Sequence, residues 1–408
     1  MRGSSSPTGT AMTDGESSQS LIAAMDVLFA PRTIAVAGAS TNKVTYGNIF
    51  IRRLRKFGFE GNVYPLHPTA ETIEGVRSYR SFADMPEPID YAYVAVPPKK
   101  VPDLLEDARG RLRFAHVISS GFGEVEEGQD LETRLVDTAR QTGIRLLGPN
   151  CLGIHTPRGR VTFADPDRLS GLKGSVGIIS QSGSLATDVL RRGTLRGVRF
   201  SGIVSVGNSA DIGPNELLEF MLSDPATETI GIYLEDVKDG RRFFDILRAA
   251  NARKPVILLV GGRTQPGQQA AASHTGALAQ DDRVWLALAR QTGAILTETL
   301  EEFIESLLIF QMCRPRADQP TREVTLFGNG GGISVIATDY FSRQGLNIGS
   351  FNDALVHRLE DLALPPGTSV LNPIDTPLGT FRVDDGRIAG TIVEIVLTES
   401  EPDAIVMH

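Results

Sequence analysis

The chain has 408 residues, too many for one ordinary domain, so two or three are expected. With 41% hydrophobic and 22% charged residues it has a soluble globular composition, and a net charge of −8 with dispersed Lys and Arg argues against a nucleic-acid surface. Two cysteines, Cys151 and Cys313, make neither a disulfide framework nor a zinc cage, which suits a reducing cytoplasm, and no apolar run reaches the ~20 residues of a membrane span.

Residues 1–20 are rich in Ser, Gly and Thr and lack the apolar core of a signal peptide, so they read as a disordered tail. From Leu21 onward apolar strands alternate with helical patterns, the signature of parallel α/β domains. Over 21–156 the strands are Thr33–Ala37, Asn62–Tyr64, Asp90–Val96, Phe114–Ser119 and Ile144–Leu147, with a helix around Gly47–Phe57, in Rossmann-like order. The turn after the first strand, GASTNKVTYG, lacks the full G-x-G-x-x-G spacing. The second strand leads into Tyr64-Pro65-Leu66-His67-Pro68, where a dinucleotide's ribose would want Asp or Glu. An NAD-dependent dehydrogenase is therefore disfavoured, while backbone N–H groups at Ala39 to Thr41 and the next helix start suit a phosphate-bearing ligand. Cys151, inside GPNCLG, has no base beside it in sequence and reads as a buried structural thiol.

The stretch 165–313 repeats the alternation. Ser175–Ser180 is a strand, and Ser182 and Gly183 open the following helix, whose first N–H groups attract an anion. The run Ser180-Gln181-Ser182-Gly183-Ser184 does not match the G-x-S-x-G nucleophile elbow, so Ser182 reads as a phosphate ligand or helix cap. Strands at Phe200–Val206 and Thr229–Glu235 follow, the second ending in a carboxylate, and then a buried strand at Pro255–Val260. After its Gly-Gly turn comes Ala272-Ser273-His274-Thr275-Gly276-Ala277-Leu278, a lone histidine among small residues. By itself this suits a mobile loop as well as a side chain that reactants must approach. The loops bearing Glu235 and His274 follow consecutive strands, so the carboxylate can orient the imidazole. Over 320–408 a strand at Glu323–Phe327 ends in a glycine run where Gly330 and Gly331 open a helix, a second phosphate-binding turn.

As a set these motifs closely resemble the nucleoside-diphosphate-forming acyl-CoA synthetases, a family related to the succinyl-CoA synthetase α subunit. The first domain carries the likeness in Gly38-Ala39-Ser40, Val63-Tyr64-Pro65, Ala95-Val96-Pro97-Pro98, Ile118 to Glu124, and GPNCLG. The second carries it in SQSGSLA, SVGNSADI with IYLE, and KPVILLVGGRT through SHTGALA. Leu364-Pro365-Pro366-Gly367 and Leu371-Asn372-Pro373-Ile374-Asp375 carry it in the third. The resemblance implies a Rossmann-like CoA-binding domain followed by two flavodoxin-like domains, the last of them unfinished. It also implies a CoA thioester over Ala39, Ser40, Pro65, Val96, Pro97, Ser119 and Ser120, phosphorylation of His274, and Glu235 steadying that histidine.

The reaction implied joins a short-chain carboxylic acid to CoA with ATP giving ADP and phosphate, the helix starts after Gln181 and Gly330 facing the phosphohistidine. No stretch resembles an ATP-grasp module and no P-loop replaces it. ATP or ADP with Mg²⁺ is therefore expected on a partner subunit or a fused C-terminal domain, and no metal in this chain. Asn150 is a candidate for the acid pocket, and an oligomer is expected. The competing reading is a CoA-sensing protein without chemistry of its own, such as the regulatory part of a protein acetyltransferase.

Overall fold

The computed structural model describes residues 23–169, 171–269, 281–313, 320–377 and 379–408. The expected tail and the loop carrying His274 lie outside the described residues. Two compact units divide at Arg314/Pro315, and each is described by itself.

The first unit opens with a helix over 23–29 and a five-stranded parallel sheet. Its strands are β1 (Thr33–Ala37), β2 (Asn62–Leu66), β5 (Ile89–Val94), β6 (Leu112–Val117) and β7 (Arg145–Leu147), in the order β2-β1-β5-β6-β7. A small hairpin of β3 (Thr72–Ile73) and β4 (Val76–Arg77) stands apart from it. Helices α1 (Tyr46–Lys56), α2 (Val101–Asp107) and α3 (Gln129–Thr142) make the crossovers. Near-continuous apolar strands such as TIAVA are what a parallel sheet covered on both faces requires, and β1 is buried along its whole length. The second strand runs on to Leu66, past the expected end at Tyr64, because β2 is an edge strand and Pro65 has no ladder donor to lose there.

A second sheet in the same unit has the order β13-β12-β11-β9-β10-β8. Its parallel strands are β9 (Val176–Ser180), β10 (Phe200–Ser205), β11 (Thr229–Leu234), β12 (Val256–Val260) and β13 (Ile295–Thr297). Around it lie α4 (Gly183–Arg196), α5 (Pro214–Ser223), α6 (Gly240–Ala250), α7 (Asp282–Thr292) and α8 (Leu300–Met312). The edge strand β8 (Gly153–His155), in the stretch assigned above to the first domain, pairs antiparallel with β10. Three residues carry no readable period, so this pairing had no sequence signal.

The remaining unit holds a three-stranded parallel sheet, β15-β14-β16, made of β14 (Val324–Gly328), β15 (Ile374–Asp375) and β16 (Ala404–Met407). Helices α9 (Gly331–Arg343), α10 (Asp353–Glu360) and α11 (Arg387–Glu399) accompany it, and its core gathers Phe327, Leu355, Leu359, Ile374 and Ile392.

One backbone position decides how β1 hands over to its loop. Gly38 sits at φ +98°, and a Cβ there would stand 2.1 Å from the Ala95 carbonyl oxygen, so the β1 and β5 ends touch through backbone alone. Gly38→Ala is expected to destabilise the first unit by about 3 kcal/mol, from left-handed strain and the clash together. Urea unfolding checks this, and an unchanged midpoint would contradict it.

Candidate active site

In a doubly wound sheet ligands bind beyond the carboxyl ends of the strands, where the strand order reverses. In the first sheet that place is between β1 and β5. Ala39 and Ser40 follow β1, Val96 and Pro97 follow β5, and Ser119 and Ser120 follow β6, so six of the seven CoA candidates share one edge. The Ser119 hydroxyl donates to the Val96 carbonyl at 2.5 Å and ties two of these loops together. Pro65 differs, since it is buried within β2 and its carbonyl accepts from the Tyr79 amide. The loop after β1 is held by Asn48, which is 3% exposed: its Oδ1 accepts from the Ser40 N–H at 3.0 Å and its Nδ2 donates to the Ser40 carbonyl at 2.9 Å. The Ser40 amide, expected as an anion donor, is therefore already engaged. Where a dinucleotide would want a carboxylate, His67 Nδ1 accepts from the Thr69 and Ala70 amides at 3.2 and 2.9 Å and closes a turn.

The second sheet presents its own carboxyl edge to a cavity of about 600 Å³. Asn150, Ser182, Gly183 and Glu235 all line it, so four of the described site candidates meet there. Ser182 is the N-cap of α4, accepting from the Leu185 amide at 3.3 Å, and Gly183 is the first helical residue. That helix start favours negative charge at this edge. Asn150 stands at φ 57°, a left-handed conformation that Asn tolerates, on the turn that leaves the first sheet.

Glu235 is placed by a residue that no motif argument had singled out. The Gln181 Oδ-equivalent amide oxygen, Oε1, accepts from the backbone N–H groups of Glu235 and Asp236 at 2.5 and 3.0 Å, and its Nε2 donates to the Asp236 carbonyl at 2.8 Å. The loop after β11 is thus pinned to the loop after β9. The Tyr233 hydroxyl donates to the Glu235 carboxylate at 3.1 Å and fixes its direction.

Across the cavity Asn208 joins the two sheets, its Nδ2 donating to Glu124 at 2.6 Å and to Glu132 at 2.8 Å. The Glu124 carboxylate also accepts from the Gly121 and Phe122 amides. Burial pushes this carboxyl up, but the Asn208 amide and those backbone donors outweigh it and hold Glu124 below its ordinary value. Lys238 Nζ donates to the carbonyls of Asn208 and Ser209, both at 3.1 Å. Glu124 and Asn208 lie in conspicuous motifs, while Glu132 on α3 and Lys238 left no signal in the sequence.

Cys151 lines the same cavity but is 4% exposed, and burial pushes its thiol up to about 12. The His116 imidazole beside it is committed elsewhere: Nε2 faces the Cys151 carbonyl at 3.1 Å and Nδ1 the Tyr91 hydroxyl at 2.6 Å. Burial pulls His116 down to about 4 and His155 to about 3, so both are neutral props of the Gly148–His155 segment.

Gly330 and Gly331 belong to the other unit. Gly330 N–H donates to the Asp375 carboxylate at 2.7 Å, so that amide is taken and a negative charge already stands at the start of α9. Among the described residues no group of three or more His, Cys, Asp or Glu side chains converges as metal donors, and no helix is long and apolar enough to cross a membrane.

Two protein families match this chain: the CoA binding domain over residues 32–157 and the succinyl-CoA ligase like flavodoxin domain over 173–310. Acetate–CoA ligase [ADP-forming] I subunit alpha of Pyrococcus furiosus is 38% identical over 86% of this chain and 76% of its own length. Acetate–CoA ligase [ADP-forming] of Methanocaldococcus jannaschii is 34% identical over 85% of this chain but 48% of its own length. The structure of dinucleotide forming acetyl-coenzyme A synthetase 1 from Ca. Korarchaeum cryptofilum, in complex with phosphate and ADP, superposes with a TM-score of 0.81 at 32% identity, over 94% of this chain and 88% of that one.

Two outcomes are expected from these side chains. In the native protein a thiol reagent at pH 8 should modify exposed Cys313 and spare Cys151, the second thiol reacting only in denaturant; two fast-reacting thiols would contradict the burial of Cys151. The depressed histidines set a pH dependence. Above pH ~6.5 they are neutral in both states, whereas below it the unfolded chain takes up protons the fold refuses, so stability falls by roughly 1 kcal/mol per pH unit for each. Melting midpoints should accordingly drop between pH 6.5 and 5.5, where the ordinary carboxylates are still ionised, and a flat profile would count against buried neutral imidazoles.

Proposed function

The chain belongs to the ADP-forming acetate–CoA ligase family, and on that premise we propose that it is the CoA-binding, phosphohistidine-bearing part of an ADP-forming acyl-CoA synthetase. The observation that carries this reading is the meeting of two strand edges on one cavity, where Asn150, the Ser182–Gly183 helix start and the pinned Glu235 converge. CoA lies along the first edge, over Ala39, Ser40, Val96, Pro97, Ser119 and Ser120. Pro65 acts from within β2 by shaping that edge. The thiol reaches into the cavity.

Three transfers follow. The terminal P–O bond of the nucleotide breaks as an N–P bond forms on His274. The phosphoryl group then passes to a carboxylate oxygen of the acid, giving an acyl phosphate and restoring the imidazole. Finally the CoA sulfur attacks the acyl carbon and phosphate leaves. Each step places negative charge beside the same helix start, where fixed N–H dipoles stabilise it without reorganising. Glu235, held by Gln181 and Tyr233, accepts from one imidazole nitrogen and presents the other for phosphorylation. Its carboxylate also favours the positive ring present while the other nitrogen carries the phosphoryl group, and loss of that group restores the neutral imidazole.

Nucleotide and Mg²⁺ are assigned to an ATP-grasp partner subunit or fused domain. The relative from Methanocaldococcus jannaschii, of which this chain spans about half, supports that division. A cytoplasmic setting accords with these substrates. A CoA-sensing protein without chemistry is disfavoured because the relatives matched over most of this chain are named ligases.

With its nucleotide-binding partner and γ-labelled ATP, the chain is expected to carry acid-labile label on His274. Labelling and acyl-CoA synthesis should both vanish in His274→Ala, and full labelling of that variant would refute the assignment. Glu235→Gln is expected to lower turnover by roughly 10²- to 10³-fold while CoA affinity stays within two-fold, and unchanged turnover would remove Glu235 from the mechanism.

A further inference from the structure

Beside the polar cavity lies a second hollow of about 360 Å³, on the α1–α4 side of the same unit. Ile118 and Leu152 line both, so these two side chains form the partition between them. The hollow's walls are largely apolar. Phe50 and Tyr93 stack at a centroid distance of 4.1 Å and an angle of 9°, and with Phe163 and Leu190 they are buried. Half-buried Leu169 closes another side. Phe50 and Tyr93 belong to one apolar core and Phe163 and Leu190 to another, so the hollow is the seam between two packed cores.

The charged groups that reach it are engaged. Arg53 donates to the Phe163 carbonyl, Arg191 pairs with Asp188 at 3.2 Å, and Asp165 pairs with Lys56 at 3.4 Å. Polar chemistry at the phosphoryl site therefore passes, across two aliphatic side chains, into a lined apolar slot. At ~30 Å³ per water the slot holds about a dozen waters, far more room than the methyl group of acetate fills.

We propose that this slot receives the hydrocarbon tail of the acid, so that the chain serves monocarboxylic acids with a longer aliphatic or aromatic tail in preference to acetate. The inference rests on the acyl-CoA synthetase reading of the adjoining cavity. With the carboxylate held beside Asn150 and the start of α4, a tail that passes Ile118 and Leu152 loses its contact with water. Each buried methylene then tightens binding roughly three- to four-fold. The single methyl of acetate ends before the partition and gains nothing from the slot.

The test uses the full chain and isothermal titration with CoA, acetyl-CoA, hexanoyl-CoA and phenylacetyl-CoA. Hexanoyl-CoA and phenylacetyl-CoA are expected to bind at least ten-fold more tightly than acetyl-CoA. Thr187→Phe, on the α4 wall, should abolish that preference while CoA and acetyl-CoA affinities stay within two-fold, and Thr187→Val should keep it. Leu169→Trp fills the slot from another wall and should repeat the effect if Thr187→Phe does not fold. Equal affinities for all three thioesters in the unmodified chain would overturn the inference and leave the CoA reading standing. Loss of CoA binding in a folded slot-filling variant would assign the slot to the pantetheine arm and overturn it too. Failure of the unmodified chain to bind CoA at all would sink the synthetase reading and this inference with it.

Discussion

Arg145 holds the two sheets of the first unit in the arrangement on which the site depends. From β7 its guanidinium donates to both oxygens of Asp211 at 2.9 and 3.2 Å and to both oxygens of Glu216 at 2.9 and 2.7 Å. A planar fork with five donors can satisfy two carboxylates at once, which a lysine could not. Glu216 and Asp211 raise the guanidinium above its ordinary value, outweighing its burial, which acts the other way. Around this anchor the backbones run side by side: Ile212, Ala210 and Asn208 donate to the carbonyls of Leu146, Gly148 and Pro149. A Cβ on Gly207 would stand 2.3 Å from the Asn150 carbonyl oxygen, so the approach is as close as backbone permits. The carboxyl ends of both sheets are thereby brought to one cavity, and the chain's next strand, β8, is delivered to the edge of the second sheet.

The cavity that results is electrostatically two-sided. Glu124 and Glu132 take up the Asn208 amide and the loop amides on one flank, while the start of α4 presents N–H groups on the other. Glu124 and Glu132 are thus engaged by neutral donors, while Glu235 is the carboxylate proposed to orient the imidazole. Gln181 and Tyr233 give it a fixed direction. In the proposed mechanism the carboxylate that steadies His274 is thus already fixed, as electrostatic preorganisation requires.

Much of this was legible from sequence. Strands such as TIAVA and VILLV are apolar from end to end, and their length and glycine-marked ends place them without ambiguity in a covered parallel sheet. Ser182, Gly183, Glu235 and Asn150 were legible because each lies at a strand or helix terminus in a motif. What stayed hidden was long-range. Gln181 reaches 54 residues along the chain to Glu235, and Asn208 reaches 84 residues back to Glu124, pairings no local period encodes. Asp375, 45 residues on, takes the Gly330 amide, and Asn48, only eight residues on, takes the Ser40 amide: a backbone donor looks free in sequence until a side chain is folded onto it. Pro65 misled in the opposite sense, since it reads as a strand breaker and sits comfortably on an edge.

On the proposed mechanism this chain itself carries the acyl and phosphoryl half of the reaction. Incubating it without nucleotide or partner, with an acyl-CoA and ³²P-phosphate, tests that most directly. Phosphate should displace CoA from the thioester, and the acyl phosphate formed should then pass its labelled phosphoryl group to the protein. The expected result is acid-labile label on His274 that requires the acyl-CoA. No incorporation into a folded, CoA-binding chain would contradict the account.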